Sequence, residues 1–300
     1  PYTTLFRSVY LSPMDRKHGV EVGGRAKNPV DQAAYIKVFR TQLTELLTRY
    51  GPIFEVWFDG SLAFDVGDIL AKHAPEAVVF QGPQATIRWV GNEEGFAPYP
   101  AWNGARYSKE TWGTLTAADG DPDGDRWLPN EVDCRMRDTW FWNTRNAGSL
   151  KSLEKLMEMY EESVGRGAVL LLNNTPDPTG LIPEADVQRS FEFGAEVKRR
   201  YGAAIADVSG KGSLITVGPS APSLIDAVVT IEDISLGERI REYVLEAQVA
   251  GEWKEIARGT AIGHKKIDKF EPMRVTSVRM RVIKSVGEPV IKRLALHRTS

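Results

Sequence analysis

At 300 residues and 42% hydrophobic content, the chain is long enough for two domains, each with its own core. Its 38 basic and 40 acidic residues nearly cancel and no Lys/Arg block occurs, which argues against a nucleic-acid partner or an anionic membrane surface. The single cysteine, Cys134, excludes an internal disulfide and a Cys-based zinc cluster, and no apolar run is long enough for a membrane span.

Residues 1–8, Pro1-Tyr2-Thr3-Thr4-Leu5-Phe6-Arg7-Ser8, back-translate to CCC TAC ACG ACG CTC TTC CGA TCT, the end of a common sequencing adapter. This predicts a non-native leader, with the natural sequence resuming at Val9 and its own beginning lost. A periplasmic or extracellular location follows if that lost section carried a signal peptide.

From Val9 onward, strands and helices alternate. Residues 9–13 read as a short buried strand and residues 15–19 as a polar loop. Asn28-Pro29 caps a long helix in which Tyr35, Val38, Phe39, Leu43, Leu46, Leu47 and Tyr50 recur at helical spacing, and Gly51-Pro52 stops it. Next comes Phe54-Glu55-Val56-Trp57-Phe58-Asp59-Gly60, an aromatic-rich strand ending at an acid followed by glycine. A parallel strand that ends this way carries its carboxylate to the C-terminal mouth of an α/β sheet or barrel, where such folds collect their chemistry. Asp59 is therefore the candidate nucleophile, against the plainer reading that it starts a turn or caps a helix.

A shorter helix is expected at 61–73, a buried strand at 77–80, and another strand at 127–132 after a long loop. Ser149 is expected to cap a helix with Leu150, Leu153, Leu156, Met157, Tyr160 and Val164 on one face, ended by Gly165 and Gly167. Residues 168–173 are apolar on both faces, as an interior parallel strand would be. A last helix covers 183–200. The alternation predicts an α/β fold, an incomplete (β/α)8-like barrel over residues 9–203. Beyond Tyr201-Gly202, short alternating segments at 228–231, 242–249, 253–257, 277–282 and 291–296 predict an antiparallel β-sandwich over 204–300. Trp253 and His264 are its few candidate contact residues, and alternation places Trp253 in the core.

Seven of the eight tryptophans (Trp57, Trp89, Trp102, Trp112, Trp127, Trp140 and Trp142) fall in the barrel-like part, which suits a sugar site as well as core packing. Glu93 and Glu94 follow Arg88-Trp89-Val90-Gly91-Asn92 and supply a second carboxylate. Glycoside hydrolysis needs two, one ionised and one protonated. His18, in the same loop as Asp15 and Arg16, either lines the mouth or is simply solvated. Residues 119–125 resemble the start of a calcium loop, but Pro122 interrupts it and Asn130 stands at the twelfth position, so a solvated loop is expected and no metal site.

Tyr10-Leu11-Ser12-Pro13-Met14-Asp15-Arg16, Glu55-Val56-Trp57-Phe58-Asp59-Gly60, Arg88-Trp89-Val90-Gly91-Asn92-Glu93, Trp127-Leu128-Pro129-Asn130-Glu131-Val132-Asp133 and Leu170-Leu171-Leu172-Asn173 together resemble the α-L-fucosidases of glycoside hydrolase family 29. The resemblance covers residues 9–201, and the sandwich is similar to the domain that follows the barrel in that family. It implies a retaining double displacement on fucosylated glycans without a cofactor, with Asp59 as nucleophile. Glu93 takes the acid/base role as in the branch specific for α-1,3/1,4-linked fucose; Glu94 and Glu131 are its rivals. Trp57, Trp89, Asn92, Trp140 and His18 are the implied sugar-contacting residues. Met14 and Asn130 stand where the family more often has Trp and Ala, which implies altered subsites. The paired histidines that contact fucose in the family have no counterpart in these residues, so the 300 residues alone are expected to be inactive. A non-catalytic carbohydrate-binding protein is the alternative.

Overall fold

The computed structural model describes residues 6–300, and the chain divides into two compact units, Pro1–Trp89 with Ala105–Pro129 and Val90–Gly104 with Asn130–Ser300.

In the first unit, β1 (Ser8–Tyr10), β2 (Glu55–Trp57) and β3 (Val78–Phe80) form a parallel sheet in that order, with Tyr10, Trp57 and Phe80 aligned across it. β1 begins inside the stretch expected as a leader: Ser8 pairs with Glu55, and Phe6 packs edge-on against Phe54 at 4.8 Å. Residues 1–5 of that stretch lie outside the described residues. The long helix forms as its spacing requires. Asn28 accepts a hydrogen bond from Val30 N, a 3-10 turn carries Pro29, and α1 (Gln32–Arg49) buries Tyr35, Phe39, Leu43 and Leu47. These four pack with Val56, Phe58, Ile69, Leu70 and Val79 into one core, whereas Tyr50 is exposed past the last turn.

The helix expected over 61–73 is shorter. Ser61 adopts φ 69° and α2 (Gly67–His73) starts only after Asp65, whose carboxylate accepts from Gly67 N at 2.7 Å. The strand expected over 127–132 is two strands, because Pro129 supplies no N–H. After β4 (Arg88–Trp89) and β5 (Gly104–Ala105) come β6 (Arg126–Trp127) and β7 (Asn130–Arg135).

In the second unit, β7 pairs in parallel with β8 (Val169–Asn173), Glu131 opposite Val169. β8 is less enclosed than its apolar run predicts, with Val169 exposed and the rest half-buried. The cap of α3 (Leu153–Ser163) is Ser152, which accepts from Lys155 N, and Ser149 closes a preceding 3-10 turn instead. α4 (Glu184–Tyr201) is tied to the end of β7 by a buried ion pair. Arg137 Nε reaches both Asp186 oxygens at 3.1 and 3.0 Å, and its Nη1 donates to the carbonyls of Asn146 and Ala147. Such a pair is costly to break, since either partner alone leaves a buried charge.

Helical structure ends at Tyr201 and strands begin at Ala206, where the sequence changes character. Eight strands follow: β9 (Ala206–Lys211), β10 (Leu214–Val217), β11 (Ser223–Glu232), β12 (Ile240–Val249), β13 (Glu252–Gly259), β14 (Lys266–Val275), β15 (Ser277–Ser285) and β16 (Val290–His297). They form two antiparallel sheets, ordered β10-β15-β12-β13 and β14-β11-β16-β9, and a core with Ile215, Leu245 and Met280 from one and Ile225, Leu294 and Leu296 from the other. Trp253 is not in that core. It lies half-buried with the Arg279 guanidinium 4.2 Å above its ring. Among the described residues, no helix is long and apolar enough to cross a membrane.

One buried acid sets a pH dependence. Glu232 is 1% exposed; its Oε1 accepts from Arg239 N and Ile240 N while its Oε2 has no partner, and burial, with the charge of Glu238 adding to it, pushes its carboxyl up to about 7. Because the folded pKa lies above the unfolded value, the folded state binds the extra proton, and stability falls as pH rises from about 4.5 to 7. Glu232→Gln is therefore expected to gain on the unmodified protein by about 2–3 kcal/mol between pH 5 and pH 8 in urea unfolding. An unchanged difference between those pH values would remove Glu232 as the cause.

Candidate active site

Asp59 is exposed in the turn that follows β2, and local constraints place it there. Gly60 adopts φ 75°, and a Cβ at this position would sit 2.3 Å from Val22 Cγ1, so both the turn and the close approach require glycine. Ser61 N donates to Phe58 O and to Gln81 Oε1 at 3.0 Å, which fixes the far side of the turn. Tyr10 Oη donates to Asp59 Oδ2 at 2.5 Å. Burial first, then the hydrogen bond and charge of Asp59, push the Tyr10 phenol up to about 12, so it stays a neutral donor throughout the neutral range.

Parallel register decides what surrounds the carboxylate. Tyr10, Trp57 and Phe80 stack as a row, with ring centroids 5.5 Å apart for the first pair and 3.9 Å for the second. Trp57 is flanked on both sides and offers its rim, whereas Tyr10 ends the row 59% exposed. Trp89 is half-buried on β4. His18 is engaged locally: its Nδ1 lies 2.8 Å from Asp15 Oδ2 and its N–H donates to Asp15 Oδ1, an interaction that holds the Asp15 carboxyl below its ordinary range. Tyr35, whose hydroxyl donates to Pro13 O, sits 5.9 Å from the His18 ring. Arg16 is exposed.

Glu93, in the second unit, is exposed on the turn after β4. Its Oε2 accepts from Trp140 Nε1 at 3.0 Å and lies 3.8 Å from Arg135 Nη1, and the Arg135 guanidinium covers the Trp140 ring at 5.4 Å. The structure thus brings together two residues named from sequence, Glu93 and Trp140. Asn92 shapes the turn: its Oδ1 accepts from Glu94 N and its Nδ2 donates to Phe96 O. Glu94 is exposed, whereas Glu131, on β7, is 2% exposed.

Sequence reasoning missed Tyr10, Arg135 and Asn173 as members of these clusters. Tyr10 and Asn173 each stood inside a motif that carried the resemblance; Arg135 lay in none, and its contact with Glu93 joins residues far apart in the chain. In the acidic loop, Asp121 pairs with Arg106 at 2.6 Å and Asp125 accepts from Tyr107 N, and among the described residues no group of three or more His, Cys, Asp or Glu is arranged to hold a metal. The groove between α1 and α2, about 620 Å³, is lined by Ile36, Arg40, Thr44, Asp68 and Ile69 and contains none of the candidate residues.

Each unit thus carries an exposed carboxylate held by an aromatic donor, Asp59 by Tyr10 in the first and Glu93 by Trp140 in the second. The α-L-fucosidase family model matches residues 4–200, and the chain belongs to the α-L-fucosidases of glycoside hydrolase family 29. It is 30% identical to a rice (Oryza sativa subsp. japonica) relative assigned as α-L-fucosidase 1, over 94% of this chain and 62% of that protein. It is 28% identical to Arabidopsis thaliana α-L-fucosidase 1, over 96% of this chain and 65% of that protein. The chain therefore spans less than two thirds of the length of either plant relative. Among solved structures, a family 29 member from an unknown rumen bacterium is 29% identical, with a TM-score of 0.86 over 99% of this chain and 58% of its own. A Bacteroides thetaiotaomicron protein assigned as an α-L-fucosidase is 33% identical, with a TM-score of 0.89 over 97% of this chain and 72% of its own.

The Tyr10–Asp59 contact is open to a direct check. Replacement of Asp59 by Asn removes the charge but not the burial, so the Tyr10 phenol is expected to titrate lower than about 12 while staying above its ordinary value of 10.0. Carbon-13 shifts of labelled tyrosine, with Tyr10→Phe assigning the signal, read this out. A Tyr10 titration unmoved by Asp59→Asn would mean that the two groups do not interact in solution.

Proposed function

We propose that this chain carries the catalytic carboxylates of a retaining, exo-acting α-L-fucosidase that releases L-fucose from α-1,3/1,4-fucosylated glycans. The single observation that carries the reading is the Asp59 carboxylate at the end of β2, one oxygen held by Tyr10 at 2.5 Å within an aromatic row. Membership of the fucosidase family supports the same reaction class.

In this mechanism Tyr10 holds Asp59 Oδ2, and Oδ1 attacks the anomeric carbon of fucose. Glu93 gives a proton to the glycosidic oxygen as the C–O bond breaks. A β-linked fucosyl ester on Asp59 results, and Tyr10 still donates to its carbonyl oxygen. Glu93, now a carboxylate, takes a proton from water as the water oxygen bonds to the anomeric carbon and Asp59 leaves, so α-L-fucose is formed first. Retention requires the two carboxyl groups to act about 5–5.5 Å apart. The exposed end of the row, the Tyr10 ring with the rim of Trp57, suits the C–H and methyl surface of a 6-deoxy sugar, and Trp89 adds a further indole. The chain spans less than two thirds of the length of its plant relatives, so turnover is measured on a protein in which an N-terminal barrel section from a family member is joined ahead of it.

The test measures hydrolysis of 4-nitrophenyl α-L-fucoside and a Lewis-type trisaccharide by that extended protein. Asp59→Ala is expected to lose at least about a thousandfold in kcat, and Tyr10→Phe about ten- to a hundredfold with KM little changed. Proton NMR of the fresh product is expected to show the α-anomer first. A β-anomer appearing first would replace the retaining mechanism with an inverting one. A protein that binds fucosides but never cleaves them would make this a carbohydrate-binding protein.

A further inference from the structure

The surroundings of Glu93 treat its two oxygens unequally. Oε2 accepts from Trp140 Nε1 at 3.0 Å and faces Arg135 Nη1 at 3.8 Å, and no protein group is bonded to Oε1 among the described residues. An indole nitrogen can only donate. A proton on Oε2 would leave the Trp140 N–H with the weaker hydroxyl oxygen as its acceptor, whereas a proton on Oε1 keeps the stronger carbonyl oxygen in that bond.

Trp140 is itself held. Its carbonyl accepts from Asn173 Nδ2 at 3.0 Å and Thr175 Oγ1 at 3.4 Å, both at the end of β8, and Arg135 covers its ring at 5.4 Å. The neighbouring Thr139 hydroxyl donates to Phe141 O at 2.8 Å and accepts from Asn146 Nδ2 at 2.8 Å, which braces the same loop. These contacts fix the one polar atom of the indole against the carboxyl group.

We propose that Trp140 is a positioning residue that divides the work between the oxygens of Glu93: its indole N–H anchors Oε2, so that Oε1 alone exchanges the proton with the leaving group and with water. The inference rests on the reading of Glu93 as the acid/base. When Oε1–H gives its proton to the glycosidic oxygen, the pair of electrons from that bond remains on the carboxylate. The Trp140 N–H and the Arg135 cation are already in place beside the charge that forms. In the second step Oε1 takes a proton from water, and Oε2 is again undisturbed. Asn173 acts one step further back, by fixing the Trp140 backbone.

The hydrogen bond can be read without turnover, from the indole N–H resonances of the nitrogen-15 tryptophan-labelled 300-residue chain. Trp140→Phe identifies the signal, and Glu93→Ala is expected to shift it upfield; a signal indifferent to Glu93→Ala overturns the proposal. Kinetics on the extended protein then separate positioning from sugar stacking. Trp140→Phe keeps an aromatic ring but loses the donor, and is expected to slow trisaccharide cleavage by roughly tenfold or more while changing an activated 2-chloro-4-nitrophenyl fucoside by much less, because that leaving group needs little proton transfer. Glu93→Ala should show the same split more strongly and recover with azide. If Glu93→Ala shows the split and Trp140→Phe instead raises KM alike for both substrates, Trp140 is a sugar platform and the proposal fails. If Glu93→Ala shows no split, the acid/base reading itself fails and takes this inference with it.

Discussion

The first unit depends on the register of its three parallel strands. Ser8 opposite Glu55 opposite Val78 is one row, and two residues on, Tyr10, Trp57 and Phe80 form another. Side chains in a strand alternate faces, so a slip of one residue would turn Tyr10 away from Asp59 and break the aromatic row at the same time. Two features guard that register: the buried faces of Val56 and Val79, and the turn at Gly60, which admits no side chain against Val22. The position of the candidate nucleophile follows from backbone pairing and one steric constraint.

The second unit handles its carboxylate by a comparable rule with different parts. Tyr10 holds one oxygen of Asp59 in the first unit, and Trp140 holds one oxygen of Glu93 in the second. In each case the donor is an aromatic side chain with a single polar atom, so the apolar ring fixes the direction of the hydrogen bond. A flexible Lys or Gln would restrain the carboxylate less, because more rotamers would have to be frozen. A carboxylate with one oxygen anchored and the other available is suited to a reaction that uses one oxygen at a time.

Buried charge behaves differently away from these clusters. Arg137 and Asp186 satisfy one another and two backbone carbonyls, which joins the end of β7 to the start of α4. Glu232 has donors for only one oxygen and carries its burial as a raised pKa. The same desolvation cost is met in one place by a counter-charge and in the other by retention of a proton.

Much of this was legible in the sequence, because it depends on near neighbours. The 3.6-residue spacing from Tyr35 to Leu47 and the Asn28-Pro29 cap define α1, and the change to period-two alternation after Tyr201 marks the strands that follow. Asp-Gly after an apolar run marked Asp59 as a carboxylate in the turn after a strand, since both the strand and the turn are local. What a chain neighbourhood could not specify was left to tertiary structure. Ser152 rather than Ser149 caps α3, and Trp253 lies outside the core shared by the two sheets, with Arg279 of another strand over its ring. The partners of the two carboxylates belong to the same class: Tyr10 is 49 residues from Asp59 and Trp140 is 47 from Glu93. Local sequence determines which residues carry a carboxylate and where a strand stops. Only the pairing of distant strands and loops decides which donor meets which oxygen, because that contact exists solely after the intervening chain has folded.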